Sequence, residues 1–156
     1  MFNMIKNKTF IGIIFSIVIS AFGGFIFMQS VNAEPEMTVY KSPTCGCCGK
    51  WITHMEENGF KISAVDLLEM NIIKQKYGIN RELASCHTAV VDGYFVEGHV
   101  PADDVKRLLS EKPDVLGLSV PGMPVGSPGM EMGDRVDNYS VVAIDKKGNI
   151  QVFNQY

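Results

Sequence analysis

The sequence predicts an α/β fold with a mixed sheet, in which the elements follow in the order βαβα–ββα. Two strand-like runs in the first half are each followed by a helical pattern, an alternation typical of parallel strand pairs. Asp92-Gly93, flanked by apolar runs, then predicts a β-hairpin with a type I′ turn. This order is that of a thioredoxin-like fold, here with a C-terminal extension.

The first strand and the first helix meet at a cysteine-rich turn. Residues 37–42 have strand composition, and residues 47–58 have helical composition with a C-cap at Asn58-Gly59. At a helix start, unpaired N–H groups and the positive end of the helix dipole stabilise anions. A thiolate in that position should therefore have a lowered pKa.

One face of this predicted helix carries Cys48, Ile52 and Met55, at positions i, i+4 and i+7. We expect this face to turn inward, which makes Cys48 the more buried thiol and Cys45 the more exposed one. His54 lies off the face and is expected to face solvent.

The middle of the chain supplies the other elements of the predicted domain. Residues 61–67 predict a second strand, residues 70–77 a short helix, and residues 79–85 a further helical turn. The hairpin strands follow on either side of Asp92-Gly93. Pro101, followed by two acids, starts a last helix that ends at Lys112-Pro113.

We predict a thioredoxin-like domain at residues 37–113 and a C-terminal extension at residues 114–156. The composition of the extension differs from that of the domain. The segment 115–133 is rich in Gly, Pro and Met and is predicted to be a loop. The runs 139–145 and 149–153 predict a closing β-hairpin.

Residues 1–33 have the features of a secretory signal peptide. Lys6 and Lys8 form a basic segment, 10–28 is an uncharged apolar run, and the segment ends in Val31-Asn-Ala33. The alternative is a retained anchor, because a run of 19 residues is just long enough to span a bilayer. The membrane would then be contacted only through residues 10–28. Both readings place the globular part in the periplasm.

The charge distribution argues against a nucleic-acid partner. Residues 1–33 hold two of the 14 basic residues and none of the 17 acidic ones, so the rest of the chain has a net charge of −5. It contains no run of Lys and Arg. No hydrolase or transferase motif occurs at a defensible spacing, so oxidoreductases are the enzyme class left open.

Four cysteines in an exported chain would ordinarily form two disulfides. Cys47 and Cys48 are adjacent, and joining them would strain the peptide between them. Cys45 and Cys48 have the C-x-x-C spacing of a labile redox pair. Cys47 and Cys86 are then left without a structural reason to be cysteine.

Soft metal ligands are concentrated in this chain. Thiolate and thioether sulfur, mixed with imidazole, suit copper and above all Cu(I). Adjacent thiolates can also bridge more than one ion. The candidate metal ligands are Cys45, Cys47, Cys48, Cys86, His87, His99, Met123, Met130 and Met132.

Each of these groups also has a simpler explanation. The C-x-C-C run could be a dithiol with a spare thiol, Cys86 a small buried hydrophobe, and His87 and His99 hydrogen-bonded side chains. Three clustered thiols exceed what redox exchange needs, and Cys86 opens the strand expected beside the first strand. The loop methionines have little apolar material around them, whereas Met55 and Met70 are most simply core residues.

Four motifs occur together: Cys45-Gly-Cys-Cys48, Ser85-Cys-His-Thr88, the run 91–102 and the run 122–131. In combination they resemble the CopG-type copper-resistance proteins, a family long described as metal-binding domains of unknown function. The similarity extends from residue 37 to residue 153.

The resemblance implies a periplasmic thioredoxin-like domain that holds copper next to the C-x-C-C run, with the extension helping to bind it. It implies a role in copper tolerance, with metal ions and copper-efflux components as partners and with interconversion of Cu(I) and Cu(II). Ordinary thioredoxins place a cis-proline before the strand that faces the C-x-x-C pair. Here that place falls on Cys86-His87.

The leading hypothesis is a periplasmic protein that binds Cu(I) through its four cysteines, with the two histidines and the loop methionines completing or gating the site. The first alternative is a periplasmic thiol–disulfide oxidoreductase, with Cys45 as nucleophile and Cys48 as resolving cysteine. The second alternative is a structural zinc module.

Overall fold

A single β-sheet organises the part of the chain that this computed structural model describes, residues 35–156. The predicted signal peptide or anchor at residues 1–33 lies outside that part. In chain order the elements are β1 (Glu36–Lys41), α1 (Gly46–Glu57), β2 (Lys61–Asp66), α2 (Met70–Lys76), β3 (His87–Val91), β4 (Tyr94–Glu97), α3 (Ala102–Glu111), β5 (Val115–Ser119), β6 (Ser140–Asp145) and β7 (Ile150–Gln155).

The sheet is mixed, as predicted, and its strand order is β2-β1-β3-β4-β5-β6-β7. β1 pairs in parallel with β2, and β4 pairs in parallel with β5. The other neighbours are antiparallel. The predicted order βαβα–ββα is confirmed for the elements from β1 to α3. The sheet then continues into the C-terminal strands.

Both predicted hairpins are confirmed. Asp92 and Gly93 connect β3 to β4 and have φ values of 46° and 84°. Positive φ at both central positions is the requirement of a type I′ turn, which explains why Asp-Gly stands there. β6 and β7 form the closing hairpin, with Ser140 opposite Gln155.

Two predictions for the connecting segments are wrong. The stretch 115–119, predicted as part of a loop, is strand β5, which pairs with β4 after α3 has crossed over the sheet. The stretch 79–85, predicted as a helical turn, forms no helix. The side chain of Asn80 instead accepts hydrogen bonds from the N–H groups of Glu82 and Leu83, which closes a turn.

The two faces of the sheet bury different side chains, because successive residues of a strand point to opposite sides. The larger core includes Trp51 and Met55 of α1, Leu108 of α3 and Val96 of β4. The smaller core includes Phe95, the neighbour of Val96, and is covered by residues around 79–83. Between residues 35 and 156, none of the helices has the length and apolar character that crossing a bilayer requires.

Gly117 allows the close approach of β5 to β4. A Cβ atom there would overlap the carbonyl oxygen of Phe95, its partner across the strands. We therefore expect Gly117→Ala to lower the free energy of unfolding by about 1–3 kcal/mol, the usual cost of overpacking. Gly49→Ala is the matched control: a Cβ there has open space within α1, so this change should stabilise by about 0.5–1 kcal/mol. Urea unfolding measures both, and equal effects would contradict this account.

Candidate metal centre

The pairing of β1 with β3 brings the distant cysteine to the cysteine-rich turn. Lys41 at the end of β1 lies opposite His87 at the start of β3. The chain leaves Lys41 towards Cys45, and it reaches His87 through Cys86. The sulfurs of the turn and of Cys86 therefore meet at the same end of the two strands.

The four cysteine sulfurs form one cluster, in which all Sγ atoms lie within 4.8 Å of one another. Cys45 and Cys48 are joined by a disulfide, while Cys47 and Cys86 are free. The Cys86 sulfur lies 3.5 Å from that of Cys48 and 4.0 Å from that of Cys47. Cys48 is fully buried and Cys45 is partly exposed, which confirms their predicted order of burial.

Two buried histidines lie on the other side of Cys86. The distance from the Cys86 sulfur is 3.1 Å to Nε2 of His99 and 3.3 Å to Nδ1 of His87. Both imidazoles have no exposed surface. Cys86 therefore belongs to two groups of possible ligands, one with the other cysteines and one with the histidines.

The orientation of His99 suits a metal ligand. Its Nδ1 lies 2.8 Å from the carbonyl oxygen of Pro128, which can only accept, so Nδ1 carries the proton. Nε2 then has its lone pair directed at Cys86. A histidine that donates its far N–H to a carbonyl is the usual arrangement around protein-bound metals.

The ring of His87 is held by packing. Its centroid lies 4.4 Å from that of Trp51 and 5.1 Å from that of His99. Its Nε2 is buried and has no hydrogen-bond partner among the described residues. Buried polar atoms are normally satisfied, so Nε2 is an exception. The nitrogen that faces the Cys86 sulfur is Nδ1.

Burial keeps both imidazoles neutral. It lowers the pKa of His87 well below the usual value, with further lowering by the nearby His99 and Lys74. Burial also lowers the pKa of His99, against the opposing effects of the Pro128 carbonyl and Glu131. A neutral imidazole is the form that binds a metal ion.

The thiol of Cys86 is difficult to ionise in the metal-free protein. Burial, together with the neighbouring Cys47, raises its pKa to about 12. A metal bound by this sulfur would have to displace its proton, since the thiolate is the ligand.

The Gly/Pro/Met loop lies against the cluster through its glycines. Gly129 has a φ of 84°, and a Cβ atom there would come within 3.0 Å of the backbone at Cys47 and Trp51. At the other end of the loop, Gly122 exchanges hydrogen bonds with the segment before Cys86: its N–H donates to Ala84, and its carbonyl accepts from the Ser85 hydroxyl. The loop thus contacts both sides of the cluster.

The three loop methionines differ in exposure. Met130, next to Gly129, is half-buried, whereas Met123 and Met132 are 54% and 65% exposed. The two ligand groups around Cys86 consist of cysteine and histidine side chains. The exposure of Met123 and Met132 agrees with the expectation that these two methionines do not serve as core.

The prediction that His54 faces solvent is wrong. Its ring is half-buried, and Nε2 accepts a hydrogen bond of 3.1 Å from the N–H of Ala102, the first residue of α3. Burial lowers the pKa of His54. The side chain of Pro101, the N-cap residue of α3, has no hydrogen-bond acceptor. His54 of α1 supplies the acceptor instead.

A buried ion pair beside the cluster escaped the sequence analysis. Glu97 is fully buried on β4 and pairs with Lys74 of α2, which is 9% exposed. The carboxylate also accepts hydrogen bonds from the Ser85 N–H and the Thr88 hydroxyl. The one available signal was a lone Glu in an otherwise apolar hairpin strand.

Known proteins resemble the chain in sequence and in structure. Residues 83–130 match the family described as "Protein of unknown function, DUF411". Two solved structures are similar: "Copper resistance protein copG- Form 2", with 47% identity and a TM-score of 0.76, and "Form 1", with 49% identity and a TM-score of 0.75. Each match covers 79% of this chain and 98% of the other. No curated protein matches.

The raised pKa of Cys86 makes its alkylation a measurable test of the site. With a pKa of about 12, only about one Cys86 side chain in ten thousand is ionised at pH 8. Iodoacetamide should therefore modify Cys86 of the metal-free, disulfide-bonded protein far more slowly than it modifies glutathione. The rate should still rise tenfold per pH unit up to pH 10, as followed by mass spectrometry. A rate that levels off below pH 9 would contradict the burial of this thiol.

Proposed function

The chain belongs to the family of the CopG copper-resistance proteins, and we propose from this premise that it binds copper around Cys86. The observation that supports the proposal is the meeting of four cysteine sulfurs and two neutral imidazoles at one end of the sheet. These groups come from three separate stretches of the sequence. Packing alone does not require this combination of side chains.

The chemistry of the donors fits copper. Thiolates favour Cu(I), and neutral imidazoles accommodate both Cu(I) and Cu(II). The four cysteines would hold Cu(I), with Nε2 of His99 as a nitrogen ligand already oriented by Pro128. His87, whose Nδ1 lies 3.3 Å from the Cys86 sulfur, would complete the set.

Binding by all four sulfurs requires two chemical changes in the protein. The Cys45–Cys48 disulfide has to be reduced, and the Cys86 thiol has to lose its proton. Copper loading should therefore need a thiol reductant and release protons. The same couple supports a redox role: oxidation of two thiolates to a disulfide releases two electrons, enough to reduce two Cu(II) ions to Cu(I).

The loop methionines would gate or complete the site. Met130 follows the glycine that contacts Cys47, and Met123 follows the glycine that contacts Ser85. Exposed thioethers are suited to receiving Cu(I) from a carrier, because they bind it without losing a proton. In this proposal Met123 and Met132 act at the entrance and Met130 acts nearer the cluster.

The proposed setting is copper resistance in the periplasm, with metal ions and copper-efflux components as partners. The signal features of residues 1–33 support export. The element order and the mixed sheet support a thioredoxin-like domain, whose cysteine-rich turn would here hold metal. The names of the similar structures support copper as the ion.

Cys47→Ser tests the copper site without removing the disulfide pair. Cys47 takes no part in the Cys45–Cys48 bond, so the variant should fold and keep that pair. We expect it to lose most of its copper, because a hydroxyl is a poor ligand for Cu(I). The measurement is metal analysis of protein purified without oxygen and with a thiol reductant.

Ser42→Ala is the matched control, since it changes the same strand–helix junction without touching a sulfur. It should retain the copper content of the wild type. Equal copper in the Cys47→Ser variant would count against this site. Zinc in place of copper in the purified wild type would favour the structural zinc module.

A second candidate function rests on the disulfide itself. The Cys45–Cys48 pair closes a C-x-x-C motif at a helix start, and the sulfur of Cys86 lies 3.5 Å from that of Cys48. This arrangement would allow thiol–disulfide exchange with a substrate protein, with Cys45 as the more accessible sulfur.

Replacing Met123, Met130 and Met132 together with Leu separates the two functions. A copper protein should bind Cu(I) more weakly after this change, while an oxidoreductase should reduce insulin at an unchanged rate. We expect weaker Cu(I) binding in competition with a chromophoric chelator, and negligible insulin reduction by metal-free wild type. Rapid insulin turnover with unaltered copper affinity would reverse the assignment.

A further inference from the structure

We propose that Glu97, neutralised by Lys74, is a positioning residue for the metal ligands Cys86 and His87. This inference rests on the proposed function, because it concerns the same copper site. Neither residue of the pair is proposed as a ligand. The structure assigns the pair the role of fixing the short segment from Ser85 to Thr88 on which both ligands stand.

The carboxylate of Glu97 binds both ends of that segment. One oxygen, Oε1, accepts the Ser85 N–H at 2.6 Å, immediately before Cys86. The other oxygen, Oε2, accepts the Thr88 hydroxyl at 2.6 Å, immediately after His87. A single planar group therefore sets the spacing of the two anchors on either side of the ligands.

The position of Glu97 in the sheet makes this double contact possible. Thr88 and Glu97 are opposite residues in the antiparallel pairing of β3 with β4. Directly opposed side chains on one face are near neighbours. Ser85 precedes the first residue of β3, and its N–H donates to the same carboxylate.

Lys74 compensates the negative charge of the buried Glu97 carboxylate. Its ammonium pairs with Oε1 of Glu97 and donates to the Thr88 hydroxyl at 3.3 Å. An isolated carboxylate with no exposed surface would be very costly, and the cation of α2 compensates it. The pair thus connects α2 to the metal-ligand segment across β3 and β4.

Stability alone does not explain the pair. Apolar side chains of similar volume usually replace a buried ion pair at little cost or with a gain in stability. The feature that an apolar pair could not reproduce is the set of hydrogen bonds to Ser85 and Thr88. That difference allows positioning to be separated from folding by experiment.

The test is the double variant Lys74→Met/Glu97→Met, which preserves volume and removes both charges. We expect it to remain folded in urea titrations and to bind Cu(I) about tenfold more weakly, as is typical when a group that orients a metal ligand is lost. In the metal-free protein, the Ser85 amide should exchange with solvent faster by NMR. Unchanged affinity together with unchanged Ser85 exchange would overturn the inference.

Asp104→Asn is the matched control. Asp104 is also a buried carboxylate, 2% exposed, with a cationic partner in Arg107 and hydrogen bonds to Asn154 and Tyr156 at the C-terminal end. None of these partners of Asp104 belongs to the segment 85–88. Its variant should keep wild-type copper affinity, and a loss as large as that of the double variant would also overturn the inference.

Two further results separate this inference from the proposed function. If the wild type binds no copper, the proposed function fails. Exchange of the Ser85 amide with solvent still shows whether Glu97 fixes the segment through its hydrogen bond to that N–H. If the double variant does not fold, Thr88→Val removes only the hydroxyl and carries the test. A folded Thr88→Val protein with weaker Cu(I) binding supports positioning, and one with wild-type binding refutes it.

Discussion

The antiparallel register of β1 against β3 is the constraint on which the candidate site depends. With Lys41 opposite His87, the turn that leaves β1 and the segment that enters β3 share one end of the sheet. A shift of the register by one residue would turn every side chain of β3 to the other face. Cys86 and His87 would then no longer meet the sulfurs of α1, although all the residues would still be present.

The second constraint is close backbone packing of the late loop on the first helix. Gly129 lies where a side chain would collide with Cys47 and Trp51, and Pro128 beside it receives the His99 N–H. The loop therefore fixes the tautomer of a histidine that the sheet has already brought to the cluster. Strand register places the sulfurs, and the loop orients the nitrogen.

Local patterns were enough to predict much of the fold. Alternation and turn residues identified β1, α1 and both hairpins, because those signals act within a few residues. β5 was missed because it is a five-residue stretch with Gly117 at its centre, and its pairing with β4 is non-local. For the site, the prediction that the strand after Cys86 lies beside β1 was sufficient to bring that cysteine to the cluster. Polar groups such as His54 and Glu97 could not be placed, since their partners come from distant elements.

Cys86 connects two kinds of ligand chemistry. Its sulfur belongs both to the group of four cysteines and to the group with His87 and His99. A metal ion bound in one group would therefore affect binding in the other. Oxidation of Cys45 and Cys48 removes two sulfurs from the first group and leaves the second intact. The reduced protein thus offers a sulfur-rich environment suited to Cu(I), whereas the oxidised protein offers one with proportionally more nitrogen, suited to either oxidation state. Under the proposed function, the redox state of this one disulfide would therefore change which copper ion the shared site favours.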